Sequence, residues 1–382
     1  MIKFFRKKIY YFGFLMILAV EVKASCLNKY TDTKASVAKM NRDELPSVLK
    51  DLIRDGAVFN QDDLVRNDHF TKSMENVKKI DNQKKIQKEL SKFKPILEIK
   101  NHHNDIQIYL VNGYEIPETL KKVGELRELN FRRVFEGSGK KTDLDSFDLS
   151  YKHLVIVESK SKNILGSCRL GLGNQLVRSN YNNFYARSFF NFDSIPSEVM
   201  ERTVEVGRVF VNVATGGPQV IRALDAIWRG IGTFLSDNPR YRYLLSTLSI
   251  SQAYSNISKA TIMSYFEKKH RSLFFEKIIS LNPVQIRDST KKYGEILASK
   301  ANSIKELNSL IVGLDGISVP PLYIANSKLG AEFLGFNSDS DFNTIDGLLL
   351  IDISKVSKDE KVRKELIKYL GKGSEEYLEY QN

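Results

Sequence analysis

Hydrophobic spacing changes several times along the 382-residue chain, and each change marks an element. Residues 27–100 are polar, rich in Lys, Asp, Asn and Gln, yet LPSVLKDLIRDG and IQKELSKFKPILEI keep helical spacing, with Gly56 and Pro95 as stops. From about residue 106 the texture shifts. IQIYLV predicts a strand. PETLKKVGELRELNFRRVF predicts a long helix with Leu120, Val123, Leu126, Leu129 and Phe131 near one face. HLVIVES and ILGSCRLGL predict two strands joined by the turn Lys160-Ser161-Lys162-Asn163. TVEVGRVFVN, at 203–212, predicts a further strand. It leads through ATGGP into the helix QVIRALDAIWRGIGTFLSD, whose Ile221, Leu224, Ile227, Trp228, Ile231 and Leu235 form one stripe. RYLLSTLSIS predicts a strand and SKATIMSYFEKK a helix. A Ser- and Lys-rich linker runs to about 315, and a helix and a strand follow between VPPLYIANSKLGAEFLG and DGLLLIDI. Mixed hairpins and crossovers predict an α/β chain with a mixed sheet.

One strand breaks its own pattern. TVEVGRVFVN has a core composition but carries Glu205 and Arg208, with Gly207 between them. Three residues apart on a regular strand, the two charges point to opposite faces, so one is buried at high cost unless paired. A bulge at Gly207 would bring both to one side and free a backbone N–H from the ladder. A plain ion pair across a strand edge is the alternative.

Composition narrows the chemistry. Lys and Arg number 58 against 46 Asp and Glu, a net charge of +12, which suits anionic partners. Two cysteines, Cys26 and Cys168, exclude a disulfide framework and a cysteine zinc site. Five histidines show no ligand spacing, and adjacent His102 and His103 cannot share a helix face, so no metal site is expected. The start, MIKFFRKKIYYFGFLMILAVEVKAS, has a basic segment, an apolar run from Ile9 to Val20 and small residues near Ala24. That is the layout of a secretory signal, and an uncleaved membrane-surface anchor is the other reading. Lys23 spoils a lipoprotein-type signal at Cys26. The chain therefore divides into a signal-like or anchor segment (1–25), a polar helical region (26–105), a core (106–315) and a C-terminal extension adding a helix and a strand (316–382).

Several familiar motifs fail. GSGKKT at 137–142 lacks the leading glycine of a P-loop, where Val134 stands, and follows a helix rather than a strand. GxSxG is absent, and no His has an Asp five residues on. What remains are polar clusters at element ends: Arg133 with Asp143, Asp145 and Asp148; Arg169 in GSCRL; and Glu205, Gly207 and Arg208.

In order and spacing, RRVFEG (132–137), DLDSFDLSYKHLVIVE (143–158), ILGSCRL (164–170), NFYARSFFNFDSI (183–195), VEVGRVFV (204–211) and IWRGI (227–231) resemble the acyl-transferring branch of the GNAT superfamily. The tail LGAEFLGFNSDSDFNTIDGLLLIDI fits the same pattern. The nearest likeness is to bacterial ornithine N-acyltransferases, often labelled hemolysins, and beyond them to N-acyl amino acid and acyl-homoserine lactone synthases. It covers roughly 106–355. It departs at the helix end, where a common arginine position holds Phe131 and the nearest substitute is Arg127, and at the phosphate loop, reduced to ATGG.

The resemblance implies a GNAT-like, mostly antiparallel central sheet flanked by helices, with an added N-terminal helical region. It also implies transfer of a fatty acyl group from acyl carrier protein or coenzyme A to the α-amino group of an amino acid such as ornithine. No cofactor would be bound permanently. Glu205 would take the amine proton, Arg208 would orient Glu205 or hold the acceptor carboxylate, and an N–H at Gly207 would meet the oxyanion. Arg133, Asp143, Asp145, Asp148 and Arg169 would shape an acceptor pocket or only fix the loop 136–150. Ser249 and Ser251 would line it. Thr215, Gly216 and Gly217 would place a carrier phosphate at a helix N-terminus, or be an ordinary capped turn. An active enzyme would work at the cytoplasmic face of an anionic membrane. A cleaved signal would instead export a silent ligand-binding relative. Nucleic acid is not an expected partner, and no long amphipathic or spanning segment supports a membrane-damaging hemolysin.

Overall fold

The strand-forming runs come together as one sheet in the computed structural model, which describes residues 47–54, 59, 61–64, 74–100, 104–179 and 184–381. The signal-like segment, Cys26, His102, His103 and Asn183 lie outside the described residues. Eight strands make up the sheet: β1 (Leu97–Ile99), β2 (Ile106–Asn112), β3 (Lys152–Glu158), β4 (Ile164–Leu172), β5 (Thr203–Val211), β6 (Tyr243–Ile250), β7 (Glu332–Asp339) and β8 (Thr344–Asp352). Their order is β1-β2-β3-β4-β5-β6-β8-β7. Every neighbouring pair is antiparallel except β5 and β6, which run parallel. The mostly antiparallel α/β architecture expected from the sequence is therefore present.

Helices cover both faces. On the back, α4 (Gly217–Asp237) lays Ala223, Ile227 and Ile231 on Ile108, Leu154 and their neighbours. The approach is close: a Cβ on Gly230 would meet Leu154 Cδ2 at 2.7 Å. On the front, α3 (Pro117–Arg132) packs Val123 and Leu126 on Tyr109, Val111, Val155 and Val157. Also on the front, Phe184, Phe190 and Phe192 cover Leu245, Leu348 and Leu350. α5 (Asn256–Lys269) and α8 (Pro321–Lys328) close the back beside β7 and β8, where Tyr323 stacks on Phe333 and Phe266 tilts against both.

Three expectations change. The expected linker before residue 315 contains two helices, α6 (Asp288–Ser299) and α7 (Ile304–Asp315). The buried stripe of α6 is Thr290, Gly294, Leu297 and Ala298. Small residues let it sit against Ala260, and they carry little hydrophobic signal. In the polar region, α2 (Gln83–Leu90) ends early, and Leu97–Ile99 is strand rather than helix. The C-terminal part supplies two sheet strands, not one, and then α9 (Glu360–Leu370) and α10 (Ser374–Gln381). Earlier in the chain, α1 (Ser47–Arg54) buries Leu49 and Leu52 against Ile257 and Leu297. Among the described residues no helix is long and apolar enough to cross a membrane.

Candidate active site

The sheet forks where its parallel pair stops. β5 and β6 pair only from Thr203 to Glu205 against Tyr243 to Leu245. At the crotch, Ser246 Oγ donates to the Val206 carbonyl at 2.8 Å. On its other edge β5 pairs with β4, and there the register slips: Ser167 faces Phe210 and Arg169 faces Gly207. Cys168 thus opposes two residues, Arg208 and Val209, which makes a β-bulge.

The bulge corrects the sequence expectation in position. Its odd residue is Arg208, with φ +50°, a left-handed conformation that non-glycine residues seldom adopt. Gly207 has no positive φ, and a Cβ there would meet only the Arg169 side chain, Nε at 3.6 Å and Cγ at 3.8 Å. Arg208, not the glycine, bears the strain, worth about 1–3 kcal/mol. Its side chain offsets this cost. Arg208 Nε lies 3.2 Å from Asp143 Oδ2 and Nη2 lies 3.5 Å from Asp145 Oδ2. Nη1 donates to the Tyr185 hydroxyl at 3.0 Å, and the guanidinium stacks over Phe342.

These contacts continue as a buried row of alternating charges. Arg169 Nη1 reaches Asp145 Oδ1 at 2.6 Å and Asp148 Oδ1 at 3.4 Å. Arg127 Nη1 reaches the same Asp148 oxygen at 2.7 Å. Three arginines and three aspartates thus balance. Burial pushes the Asp148 carboxyl up, but Arg127 and Arg169 outweigh it and hold it below the usual carboxylate range. Burial and Arg127 push His153 down to about 4, so its ring stays neutral beside the Asp148 carbonyl at 2.8 Å. Arg133 is a correction: it is exposed at the end of α3 and outside the row. Arg127, two turns earlier on the buried side of the helix, takes the place expected of it.

Glu205 is the second correction. It does not share a site with Arg208. Its carboxylate accepts from the Tyr151 hydroxyl, from Tyr185 N at 2.9 Å and from Ala186 N at 2.7 Å. Burial pushes its pKa up, against those bonds. The residue is buried behind the wall that Tyr185 forms.

Between the arms of the fork is a cavity of about 130 Å³. Val206 to Val209 and Ser246 to Ser249 form its two sides, Pro320 to Leu322 its back, and Tyr185 and Arg208 its front. Asp339, Asp346 and Glu136 also line it. Ser249 faces Asp346 across the β6–β8 ladder and bonds its carboxylate. Ser251 is buried outside the cavity. Thr215, Gly216 and Gly217 are exposed at the start of α4, where Gly216 has φ +90° and a Cβ on Gly216 or Gly217 would meet nothing. Asp339 and Asp346 escaped the sequence reading. The signal was present: Asp346 interrupts the apolar run of TIDGLLLID much as Glu205 interrupts its own strand. Among the described residues, no His, Cys, Asp and Glu are grouped to hold a metal ion.

A bulged strand splaying from a parallel neighbour, in a mostly antiparallel sheet of this order, is the arrangement expected of the GNAT class. Comparison with known proteins agrees. Residues 126–224 match the family described as an acetyltransferase (GNAT) domain. A glycine N(alpha)-acyltransferase of Phocaeicola vulgatus is 27% identical over 293 residues, covering 73% of this chain and 89% of that protein. One of Bacteroides thetaiotaomicron is 26% identical over 282 residues, covering 70% and 83%. No solved structure matches the chain. Together these matches support a GNAT-superfamily N-acyltransferase.

Proposed function

We propose that the protein transfers a fatty acyl group from a thioester to the α-amino group of an amino acid, with glycine as its first acceptor. The observation that carries this reading is the fork: a small cavity opened by the Arg208 bulge and lined by both cationic and acidic groups. A zwitterion needs both signs of charge. Arg208 has five N–H donors, and three face Asp143, Asp145 and Tyr185. The others serve the acceptor carboxylate. The thioester lies along the fork, its carbonyl oxygen turned to backbone N–H groups of the bulge. The phosphate of the donor, coenzyme A or an acyl carrier protein, rests on the exposed N-terminus of α4, just beyond the end of β5. A basic chain suits an acidic carrier and an anionic membrane that would receive the product.

The names of the relatives and the cavity volume both favour glycine over ornithine. Glu205 acts here as a positioning residue: it fixes the backbone at Tyr185, and Tyr185 supports Arg208. The test is to incubate purified protein with palmitoyl-coenzyme A or palmitoyl-acyl carrier protein and each amino acid, then read amide products by mass spectrometry. N-palmitoylglycine should exceed N-palmitoylornithine. Absence of amide product with every amino acid and both donors would overturn the reading.

A further inference from the structure

An ammonium ion has no lone pair, so the acceptor must give up a proton before it can attack. With Glu205 walled off behind Tyr185, another group has to take that proton. Two carboxylates meet the cavity from neighbouring strands. Asp346, on β8, is 4% exposed; its Oδ1 accepts from Thr344 Oγ1 at 2.9 Å and its carboxylate from Ser249. Asp339, at the end of β7, is also 4% exposed. Its Oδ1 accepts from Asp341 N at 2.8 Å and Phe342 N at 3.2 Å, but its Oδ2 is buried with no hydrogen-bond partner. A buried carboxylate oxygen without a partner is costly, and here it borders an empty space large enough for a small amine. Arg208 is the single cation lining that space among the described residues, and Asp143 and Asp145 already face it. The wall by β7 and β8 therefore calls for a positive charge.

We propose that Asp346 takes the proton from the acceptor's ammonium while the unpartnered Oδ2 of Asp339 holds that ammonium in the fork. The inference rests on the amino-acid acyl transfer proposed above. In the step, the ammonium N–H gives its proton to the Asp346 carboxylate. The freed nitrogen pair forms the C–N bond at the thioester carbon, and the C–S bond breaks. The departing thiolate takes the second proton from nitrogen. Asp346 returns its proton to solvent, leaving amide, thiol and one released proton.

Electrostatics suit this role. Burial first, and then the like charge of Asp339, push Asp346 up to about 7. Glu136 adds to the rise, while Ser249 and Thr344 oppose it. Tyr185 and Tyr323 are the other titratable groups that feel Asp346, and both are themselves pushed up by burial. A carboxyl with its pKa near the working pH is an efficient proton acceptor. Only its ionised form works, so activity should be present above about pH 7 and fall below it.

The experiment compares Asp346→Asn and Asp339→Asn with the unaltered full chain, using glycine and aminooxyacetate as acceptors. Aminooxyacetate keeps the carboxylate, but its nucleophilic nitrogen is already neutral at pH 7. Asp346→Asn should lower kcat/KM for glycine by about 10²- to 10⁴-fold, abolish the acid limb, and cost aminooxyacetate transfer far less. Asp339→Asn should raise KM for glycine and move the limb to lower pH, because a like charge is gone. Equal losses with both acceptors, or an unchanged limb in Asp346→Asn, would overturn the proposal. If Asp346→Asn does not fold, judged by thermal melting, an unshifted limb in Asp339→Asn overturns it instead. Transfer to glycine by the unaltered protein with an unaffected Asp346→Asn would sink this inference alone. No amide product from any amino acid would sink the parent reading with it.

Discussion

Two polar regions flank the fork, and they are built on opposite principles. On the α3 side, Arg127, Arg169 and Arg208 alternate with Asp148, Asp145 and Asp143, each charge set against its opposite. On the β7–β8 side, Asp339 and Asp346 line the cavity with like charges, and Asp339 Oδ2 has no hydrogen-bond partner. The first region balances its charges without a ligand and serves as framework. The second is unfinished, and a cation completes it. Buried charges alone do not mark a reactive site; the balance around them does.

The largest expected effect comes from breaking the balanced row. Asp148→Ala should cost about 3–5 kcal/mol in chemical denaturation, because it leaves the buried Arg127 without its carboxylate. A loss under about 1 kcal/mol would show that the row is not a framework. The same carboxyl sets an acid limit. Its folded pKa is depressed, so its stabilisation is fully present above the unfolded value near 4 and is lost as pH falls below that. Asp148→Asn should lack this part of the acid unfolding curve.

Arg208→Lys comes next, because Arg208 borders both regions. The charge remains, but one ammonium cannot reach Asp143, Asp145 and Tyr185 together. Losing about 1.5–3 kcal/mol of charged hydrogen bonding predicts a roughly 10- to 150-fold fall in kcat/KM for the amino acid. Unchanged kinetics would remove Arg208 from the acceptor side. Smaller still is Glu205→Gln. It should lower stability by about 1–3 kcal/mol by spoiling the bonds to Tyr185 N and Ala186 N, yet leave the acid limb of the rate profile in place. Loss of that limb would restore Glu205 as the base. The smallest effect belongs to Gly207→Ala, whose added methyl meets only the Arg169 side chain, no nearer than 3.6 Å. Its stability should stay within about 0.5 kcal/mol of the parent, and a larger loss would return the bulge to the glycine.

Much of the fold was legible in the chain because its elements follow strong periods. β2 to β6, α3, α4 and α5 all lie where alternation or helical spacing put them. α6 escaped because three of the four residues in its buried stripe, Thr290, Gly294 and Ala298, are small, and small residues look like linker. At the site, the charged strand pointed to the right place. Arg208, Asp143, Asp145, Asp148 and Arg169 do converge. The bulge does turn Glu205 and Arg208 to one side, where both meet Tyr185, but Glu205 bonds its backbone and Arg208 its hydroxyl, and sequence spacing does not say which residue takes the left-handed turn. Asp339 and Asp346 stayed hidden for another reason. They reach the fork only through sheet order, since β8, far along the chain, lies directly beside β6.

That placement also bears on how the protein is made. β8 pairs with β6 from Tyr243 to Ile250, so this rim of β6 stays bare on the ribosome until residue 352 has emerged. Through synthesis of about a hundred residues, a hydrophobic strand waits with unanswered N–H and C=O groups, a template for mispairing with other nascent chains. The same delay means that the two acids arrive last, after the framework arginines and the bulge are already in place. A chain released early would carry a finished cradle without the acids, and an open sheet edge for the quality-control machinery to find.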